Sequence, residues 1–237
     1  FRFMKKFITL LAVFVLVFAC TSKKEGNMIV QGQIKGLKKG TLYLQKMKDT
    51  VLISVDSMKL LGDDKFTLTD NVTSPEMYYL TFDGNTIDKS LMFFGEEGEI
   101  TINDNVEEFG FNPEIKGSKN QDVMDKFRDF SRRFKDQRLD FIKQNLEAKV
   151  ANDEALINKL DADYKKLIRK RFLFTTQFAK NNGDSEAAPY IALTELYDAN
   201  IVLLDTINNN LSDKVKNSNY GKRFQKFINE IKSKENK

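Results

Sequence analysis

The sequence predicts an α+β protein, with an N-terminal antiparallel β-sandwich or barrel over residues 28–117 and an all-helical region over 118–237. Two observations predict this order. Up to Gly117, apolar residues alternate with polar ones in short segments, which is the period of a strand with one buried face. After Gly117 they recur at intervals of three and four, which is the period of an amphipathic helix.

The residues before this fold predict a lipoprotein leader and a tether. The uncharged apolar run Phe7–Ala19 has the length of a signal-peptide core and is too short to cross a bilayer as a helix. Three basic residues precede it, as is typical of such leaders. We therefore assign residues 1–19 to a signal peptide and residues 20–27 to a lipidated cysteine and its tether.

Cys20, the chain's one cysteine, is the site residue that this leader predicts. The stretch Val17–Cys20 resembles the lipobox of bacterial lipoproteins, in which a branched apolar residue and a small residue precede the modified cysteine. A cysteine thiolate can take a diacylglyceryl group as a thioether. Each buried CH₂ contributes about 0.8 kcal/mol, so several chains of the palmitate kind anchor a protein firmly. We expect Cys20 to be lipidated; the alternative is an unmodified buried cysteine at the end of a secretory signal.

Short alternating segments predict the strands, and turn residues separate them. The predicted buried faces are Ile34, Leu42 and Leu44, Val51, Ile53 and Val55, Phe66 and Leu68, and Ile100 and Ile102. The segments GLKKG, LGDDK and GEEGE between them are typical of turns. Many short strands at this spacing favour a sandwich or a barrel.

A capping box predicts the start of the first helix near Lys119. The Ser118 hydroxyl and the Gln121 amide are spaced to satisfy backbone N–H groups at a helix start. The apolar pattern that follows breaks near residues 151–154 and then resumes. We expect a second helix there, which ends with Gly183 in a left-handed conformation.

Two further helices are predicted after Gly183. One runs from about Glu186 to Ile207, with Pro189 tolerated in its first turn. The last one carries an apolar face from Tyr220 to Ile231.

Composition excludes several classes of protein. The formal charge of +4 includes three basic residues before Cys20, so residues 20–237 carry +1, and their mixed charges give no reason to expect a nucleic-acid partner. With no histidine, the chain has no imidazole base and no histidine-containing zinc site. With one cysteine it has no CxxC redox pair. We expect no cofactor and no metal site.

A set of acids offers the one catalytic hypothesis. Glu96, Glu97 and Glu99 lie on a predicted hairpin turn, and Asp83 precedes them. Paired carboxylates about 5 to 10 Å apart across a cleft hydrolyse glycosides. Acids on a turn are more often solvated, so we favour the structural interpretation.

Two other segments have weaker alternatives. Residues 103–108, NDNVEE, carry enough oxygen ligands for calcium but lack the EF-hand spacing, and a polar loop is the simpler interpretation. The basic residues between Lys165 and Arg171 have the charge to contact anionic lipid head groups, although a solvated helix face is favoured.

The order of several blocks resembles one family. The segments VQGQIKGLKKGTLYLQ, GDDKFTLTDNVTSPEMYYLTF, MFFGEEGEITI and IKGSKNQDVMDKF, followed by AAPYIALTEL and NSNYGKRFQKFINEI, are similar to the family called domain of unknown function 4369. The resemblance implies a lipoprotein of Gram-negative bacteria. In many relatives this module precedes a thioredoxin-like domain of the TlpA and ResA type. The present sequence has no tryptophan and only one cysteine, so we do not expect that domain here.

These inferences together predict a lipid-anchored accessory or binding module of the cell envelope that is not an enzyme. Its expected partners are membrane lipid, through Cys20, and an unknown envelope protein or small ligand. The alternative is a carboxylate-dependent hydrolase. Thr21 after the cysteine, rather than Asp, predicts sorting to the outer membrane, and the tether with Lys23 and Lys24 predicts that the protein faces the periplasm.

Overall fold

The structure is a computed structural model that describes residues 26–83 and 89–235. The strands within these ranges are β1 (Met28–Lys35), β2 (Lys39–Lys48), β3 (Val51–Leu61), β4 (Lys65–Asp70), β5 (Glu76–Phe82), β6 (Leu91–Gly95), β7 (Gly98–Asn105) and β8 (Glu114–Lys116). The helices are α1 (Lys119–Val150), α2 (Glu154–Asn181), α3 (Ala187–Glu195), α4 (Ile201–Asn209), α5 (Asp213–Lys216) and α6 (Asn219–Glu235). This order of strands followed by helices confirms the α+β prediction.

The strands form two four-stranded sheets, with orders β4-β1-β7-β8 and β3-β2-β5-β6. Their inner faces supply one apolar core, which includes Val30, Leu44, Leu80, Phe93 and Ile100. All neighbouring strands are antiparallel except β1 and β7, which run parallel. Alternation in the sequence identifies a buried face but not the direction of a strand's neighbour.

The edge strand β3 departs from its predicted pattern. Val51 is exposed, while Ile53 and Val55 are only half-buried. Because β3 pairs with β2 alone, one of its edges has no neighbouring strand to cover its side chains.

The second sheet is covered on both faces, which explains the nearly continuous apolar run of β5. Tyr78 and Leu80 point into the sandwich core. Met77, on the opposite face, packs with Phe94 of β6 and with Phe127 of α1 in a separate cluster. The helices therefore form a third layer on the outside of the second sheet.

The junction between strands and helices is fixed by Gly117 and Ser118. Gly117 has φ +97°, and a Cβ there would lie 2.1 Å from the carbonyl oxygen of Glu99. Ser118 accepts a hydrogen bond from the Gln121 N–H at 3.0 Å, as predicted. The other half of the capping box is wrong: the Gln121 side chain donates to Asp125 and accepts from the Phe94 N–H of β6.

Two predictions about the later helices are also corrected. Gly183 does not adopt a positive φ; a Cβ there would lie 2.2 Å from the carbonyl oxygen of Asn210, so close backbone packing requires the glycine. The helix predicted from Glu186 to Ile207 is two helices, α3 and α4, because Asn200 caps a new start by accepting a hydrogen bond from the Val202 N–H.

Helices α1 and α2 form a long antiparallel hairpin that extends beyond the rest of the fold. The apolar clusters shared with other elements include α1 only as far as Phe127 and α2 only from Phe172 onward. None of the helices in the described ranges is both long and apolar enough to span a membrane.

Candidate functional site

A large concave surface lies between the second sheet and helices α3 and α6. This cleft has a volume of about 900 Å³. Met47 and Tyr79 line it from the sheet, and Leu193 and Phe227 line it from the helices. Clefts of this size with apolar walls are the usual place for a small ligand.

Tyr190 and Tyr220 form the floor of the cleft. Their ring centroids lie 5.1 Å apart, and Phe94 packs edge-on against both rings. The Met77 N–H donates a hydrogen bond to the Tyr220 hydroxyl at 3.2 Å, which joins α6 to β5. The floor is thus built by three segments that are distant in the sequence.

Burial keeps the phenols of the cleft neutral. It raises the pKa of Tyr190 to about 12 and raises the pKa values of Tyr79 and Tyr220 as well. A phenol with such a pKa stays protonated at neutral pH. These hydroxyls can donate and accept hydrogen bonds to a ligand, but they are poor bases and poor nucleophiles.

The rim of the cleft carries charges of both signs. Its lining includes the cations Lys48, Lys222, Arg223 and Lys226 and the carboxylates Asp49, Glu76 and Glu230. The Arg223 guanidinium lies 5.8 Å from the Tyr220 ring centroid. An apolar floor inside a mixed-charge rim suits a ligand with an apolar body and polar ends.

A cluster of charged and polar groups underlies one end of the cleft. Lys46 Nζ lies 2.7 Å from Asp70 Oδ2 and 3.4 Å from Glu76 Oε1. The Tyr78 hydroxyl donates to the same Asp70 oxygen at 2.6 Å. Burial raises the pKa of Glu76 in spite of Lys46. Burial would raise the pKa of Asp70 too, but the hydrogen bonds from Lys46 and Tyr78 outweigh it and lower that pKa.

The acids suggested from the sequence do not converge. Asp83 accepts hydrogen bonds from the Thr41 N–H at 2.7 Å and the Tyr43 hydroxyl at 3.0 Å, just beyond the last residue of β5. Glu96 follows Gly95, which pairs with the first residue of β5. The two carboxylates are therefore separated by about the length of a seven-residue strand, roughly 23 Å.

Glu96 and Glu99 have structural partners. Glu96 accepts hydrogen bonds from the Lys119 N–H and the Asn120 side chain at the start of α1. Glu99 accepts one from Gln31. Glu97 is exposed on the turn.

The other two sequence candidates are also placed by the structure. Within residues 103–108, Asp104 accepts a hydrogen bond from the Gly110 N–H, and Asn105 accepts one from the Glu108 N–H. Residues 26–83 and 89–235 hold no cluster of three acidic or cysteine side chains placed for a metal ion. The basic cluster lies on α2, where Lys165, Lys166, Arg169 and Lys170 are exposed and Arg171 faces Glu195 at 3.6 Å.

Sequence reasoning missed the cleft. Its lining joins residues near positions 79, 190 and 220, and no local spacing connects them. The one available signal was the two-sided apolar run MYYLTF at 77–82, which indicates a strand covered on both faces. Cys20, the predicted lipidation site, lies outside the described residues.

Residues 28–124 match the family model described as Domain of unknown function (DUF4369). The match covers every strand of the described fold and the first turn of α1. It confirms the resemblance seen in the first sequence blocks, while the blocks at AAPYIALTEL and NSNYGKRFQKFINEI lie beyond it. No curated protein shows significant similarity to the chain, and no solved structure does.

Proposed function

Since residues 28–124 carry the domain of unknown function DUF4369, we propose that this protein is a lipid-anchored module of the cell envelope that binds a ligand or a partner protein and performs no chemistry of its own. The observation that carries the binding role is the 900 Å³ cleft between the sheet and the helices.

The composition of the cleft supports binding rather than catalysis. Tyr79, Tyr190 and Tyr220 offer flat apolar faces and neutral hydroxyls, which suit recognition of a ligand with ring or aliphatic groups. The chain has no histidine to act as a base. The hydrolase alternative loses its best support, because Asp83 and Glu96 lie at opposite ends of β5.

The binding role is tested with 8-anilinonaphthalene-1-sulfonate, a fluorescent probe that has an apolar ring body and an anionic end. We expect the folded chain to bind it, and Tyr79→Glu to weaken binding at least fivefold, because a carboxylate at this half-buried wall position repels the sulfonate and makes the wall more polar. Tyr197→Glu is the matched control, since Tyr197 is exposed outside the cleft. Equal binding by all three proteins, or equal loss in both variants, would rule out the cleft.

The anchor rests on the lipobox-like stretch ending at Cys20. Labelling of cells with radioactive palmitate should mark the wild-type chain and the conservative control Thr21→Ser, but not Cys20→Ser. Label on Cys20→Ser equal to that of the wild type would remove the anchor from the proposal.

The proposed location is the outer membrane, with the fold facing the periplasm. Thr21 rather than Asp after the cysteine supports sorting to the outer membrane. Lys23 and Lys24, in place of an acidic run, support a fold that faces the periplasm. Membrane fractionation, with protease added to intact cells, tests both. Protection in intact cells with degradation after permeabilisation is expected, whereas degradation on intact cells would place the fold outside.

A further inference from the structure

The far part of the α1–α2 hairpin leaves an apolar stripe exposed. Leu139, Ile142, Leu146 and Val150 are 64, 51, 63 and 79% exposed. Their spacing of three, four and four residues puts them on one face of α1. Seven of the thirteen exposed large apolar side chains in the described ranges lie on these two helices. We call residues 130–170 the distal hairpin.

The fold itself does not use this stripe. Inside the distal hairpin, the two helices meet through other residues, such as Phe141 against Tyr164 and the buried Ala148, Leu160 and Leu167. A groove of about 430 Å³ between the helices is lined by Ile142 and Leu146 on its α1 side, so the stripe continues into it.

Exposed cations flank the stripe. Lys135, Arg138, Lys143 and Lys149 lie within one turn of its apolar residues. Among the described residues, none of these four has a carboxylate within ion-pair distance. The acids of this stretch, Asp136, Asp140 and Glu147, follow one another at spacings of four and seven on a separate face.

The distal hairpin carries a net positive charge, unlike the rest of the chain after residue 19. It has eleven Lys or Arg and seven Asp or Glu, a net +4. Because residues 20–237 sum to +1, the remainder carries −3. This separation of charge favours an anionic partner at the hairpin and disfavours a second copy, whose stripe would bring an equal positive charge against it.

We propose that the distal hairpin binds an anionic phospholipid surface, with the stripe inserted among the head groups and the flanking cations paired with phosphates. A helix that combines an apolar stripe with flanking Lys and Arg is the pattern of interfacial membrane binding. The proposal adds a second membrane contact to the proposed function and does not depend on lipidation of Cys20.

The distal hairpin lies far from the point where the N-terminal segment enters the fold. The N–H of Gly98 binds the carbonyl of Asn27, so the chain enters the sandwich at the β6–β7 turn. Helix α1 starts at that same turn, where the Lys119 N–H binds Glu96. It runs along β6, so that Arg128 lies near Ser90 at the other end of that strand. From Arg128 the helix continues for about another 30 Å. Asn27 and the distal hairpin thus lie at opposite ends of the described fold, and attachment through both ends would lay the molecule along the bilayer.

The test uses the chain from Thr21 onward, which carries no lipid and includes the entire described fold. Its co-sedimentation with vesicles of phosphatidylglycerol and phosphatidylcholine is compared with that of pure phosphatidylcholine vesicles. We expect binding to the anionic vesicles at least tenfold tighter, and weaker with added salt.

Two double variants separate charge from apolar contact. Lys143→Gln/Lys149→Gln should weaken binding about 25-fold, since each basic residue near such a surface is worth about fivefold. Leu146→Gln/Val150→Gln should weaken it at least tenfold. Lys38→Gln/Lys39→Gln removes the same charge from the exposed β1–β2 turn and should change binding less than twofold.

Several outcomes would overturn the proposal. The first is equal binding to both vesicle types, and the second is an equal loss of binding in the Lys38→Gln/Lys39→Gln control. The third is the absence of vesicle binding together with a dimer, detected by light scattering, that dissociates in the Leu146→Gln/Val150→Gln variant. The last result would assign the stripe to a second copy. Unchanged thermal unfolding of all variants shows that the fold is intact, and palmitate labelling of Cys20 remains a separate result.

Discussion

The sandwich buries its apolar side chains, whereas the distal hairpin leaves several of its own exposed. In the sandwich, residues such as Leu80, Phe93 and Ile100 are fully buried between two sheets. In the distal hairpin, other aliphatic residues, such as Leu146 and Val150, face solvent. Since the free energy of folding comes mainly from buried apolar surface, the sandwich core stabilises the fold, whereas the exposed stripe of the hairpin contributes little to it.

The largest expected effect compares the same substitution in the two regions. Leu80→Ala removes a fully buried side chain and should lower the free energy of unfolding by about 2–5 kcal/mol, because it loses apolar burial and leaves a cavity. Leu146→Ala, at an exposed position, should change it by less than about 0.5 kcal/mol. Urea unfolding of both variants measures the difference; a similar loss in both would mean that the stripe is buried in solution.

A second comparison concerns polar groups on α1. Asn120 is buried, donates to Glu96 and Glu186, and accepts hydrogen bonds from Ser185 and the Ala187 N–H. Asn120→Ala should therefore cost about 2–3 kcal/mol, since buried groups lose their partners.

The matched control is Asn145→Ala in the distal hairpin, where the amide makes one long contact of 3.5 Å with Asp161. It should cost less than about 0.5 kcal/mol. Limited proteolysis around Gly117 gives a second measurement: cleavage should accelerate in Asn120→Ala alone, because this network joins the strands to the helices. Equal proteolysis rates in both variants would argue against that role.

The smallest effect depends on pH. The pKa of Asp70 in the folded protein is lowered, burial being outweighed by hydrogen bonds from Lys46 and Tyr78. A carboxyl with a lowered folded-state pKa contributes stability that is complete above its unfolded value, about 4, and is lost as the pH falls through the folded value. At pH 7, Asp70→Asn should cost about 1–2 kcal/mol.

Thermal unfolding between pH 2 and pH 7 measures this effect. The difference in stability between wild type and Asp70→Asn should shrink below about pH 4. Glu76, whose pKa is raised, changes stability with pH in the opposite direction, but it is present in both proteins. Asp163→Asn on the exposed hairpin, where Asp163 pairs with Lys166, is the control and should show no measurable gap. A gap that persists at pH 2 would contradict the assignment to the Asp70 carboxylate.

Local signals in the sequence determined the fold class and most helix starts. Period-two and period-three-to-four patterns depend on neighbours a few residues apart, and so do the Ser118 cap and the break between α1 and α2. The same local reasoning expected solvated acids on the turn. Glu97 and Glu99 are exposed there, whereas Glu96 is half-buried and accepts hydrogen bonds at the start of α1.

Tertiary structure alone decided the features that depend on distant partners. The sequence did not indicate that β1 and β7 run parallel, that β3 lies at an edge, or that Tyr79, Tyr190 and Tyr220 meet in one cleft. It also did not separate the core from the hairpin stripe, because an amphipathic helix has the same period whether its apolar face meets another element or water. Whether a side chain is buried depends on which residues pack against it, and the packing of the whole chain decides which residues those are.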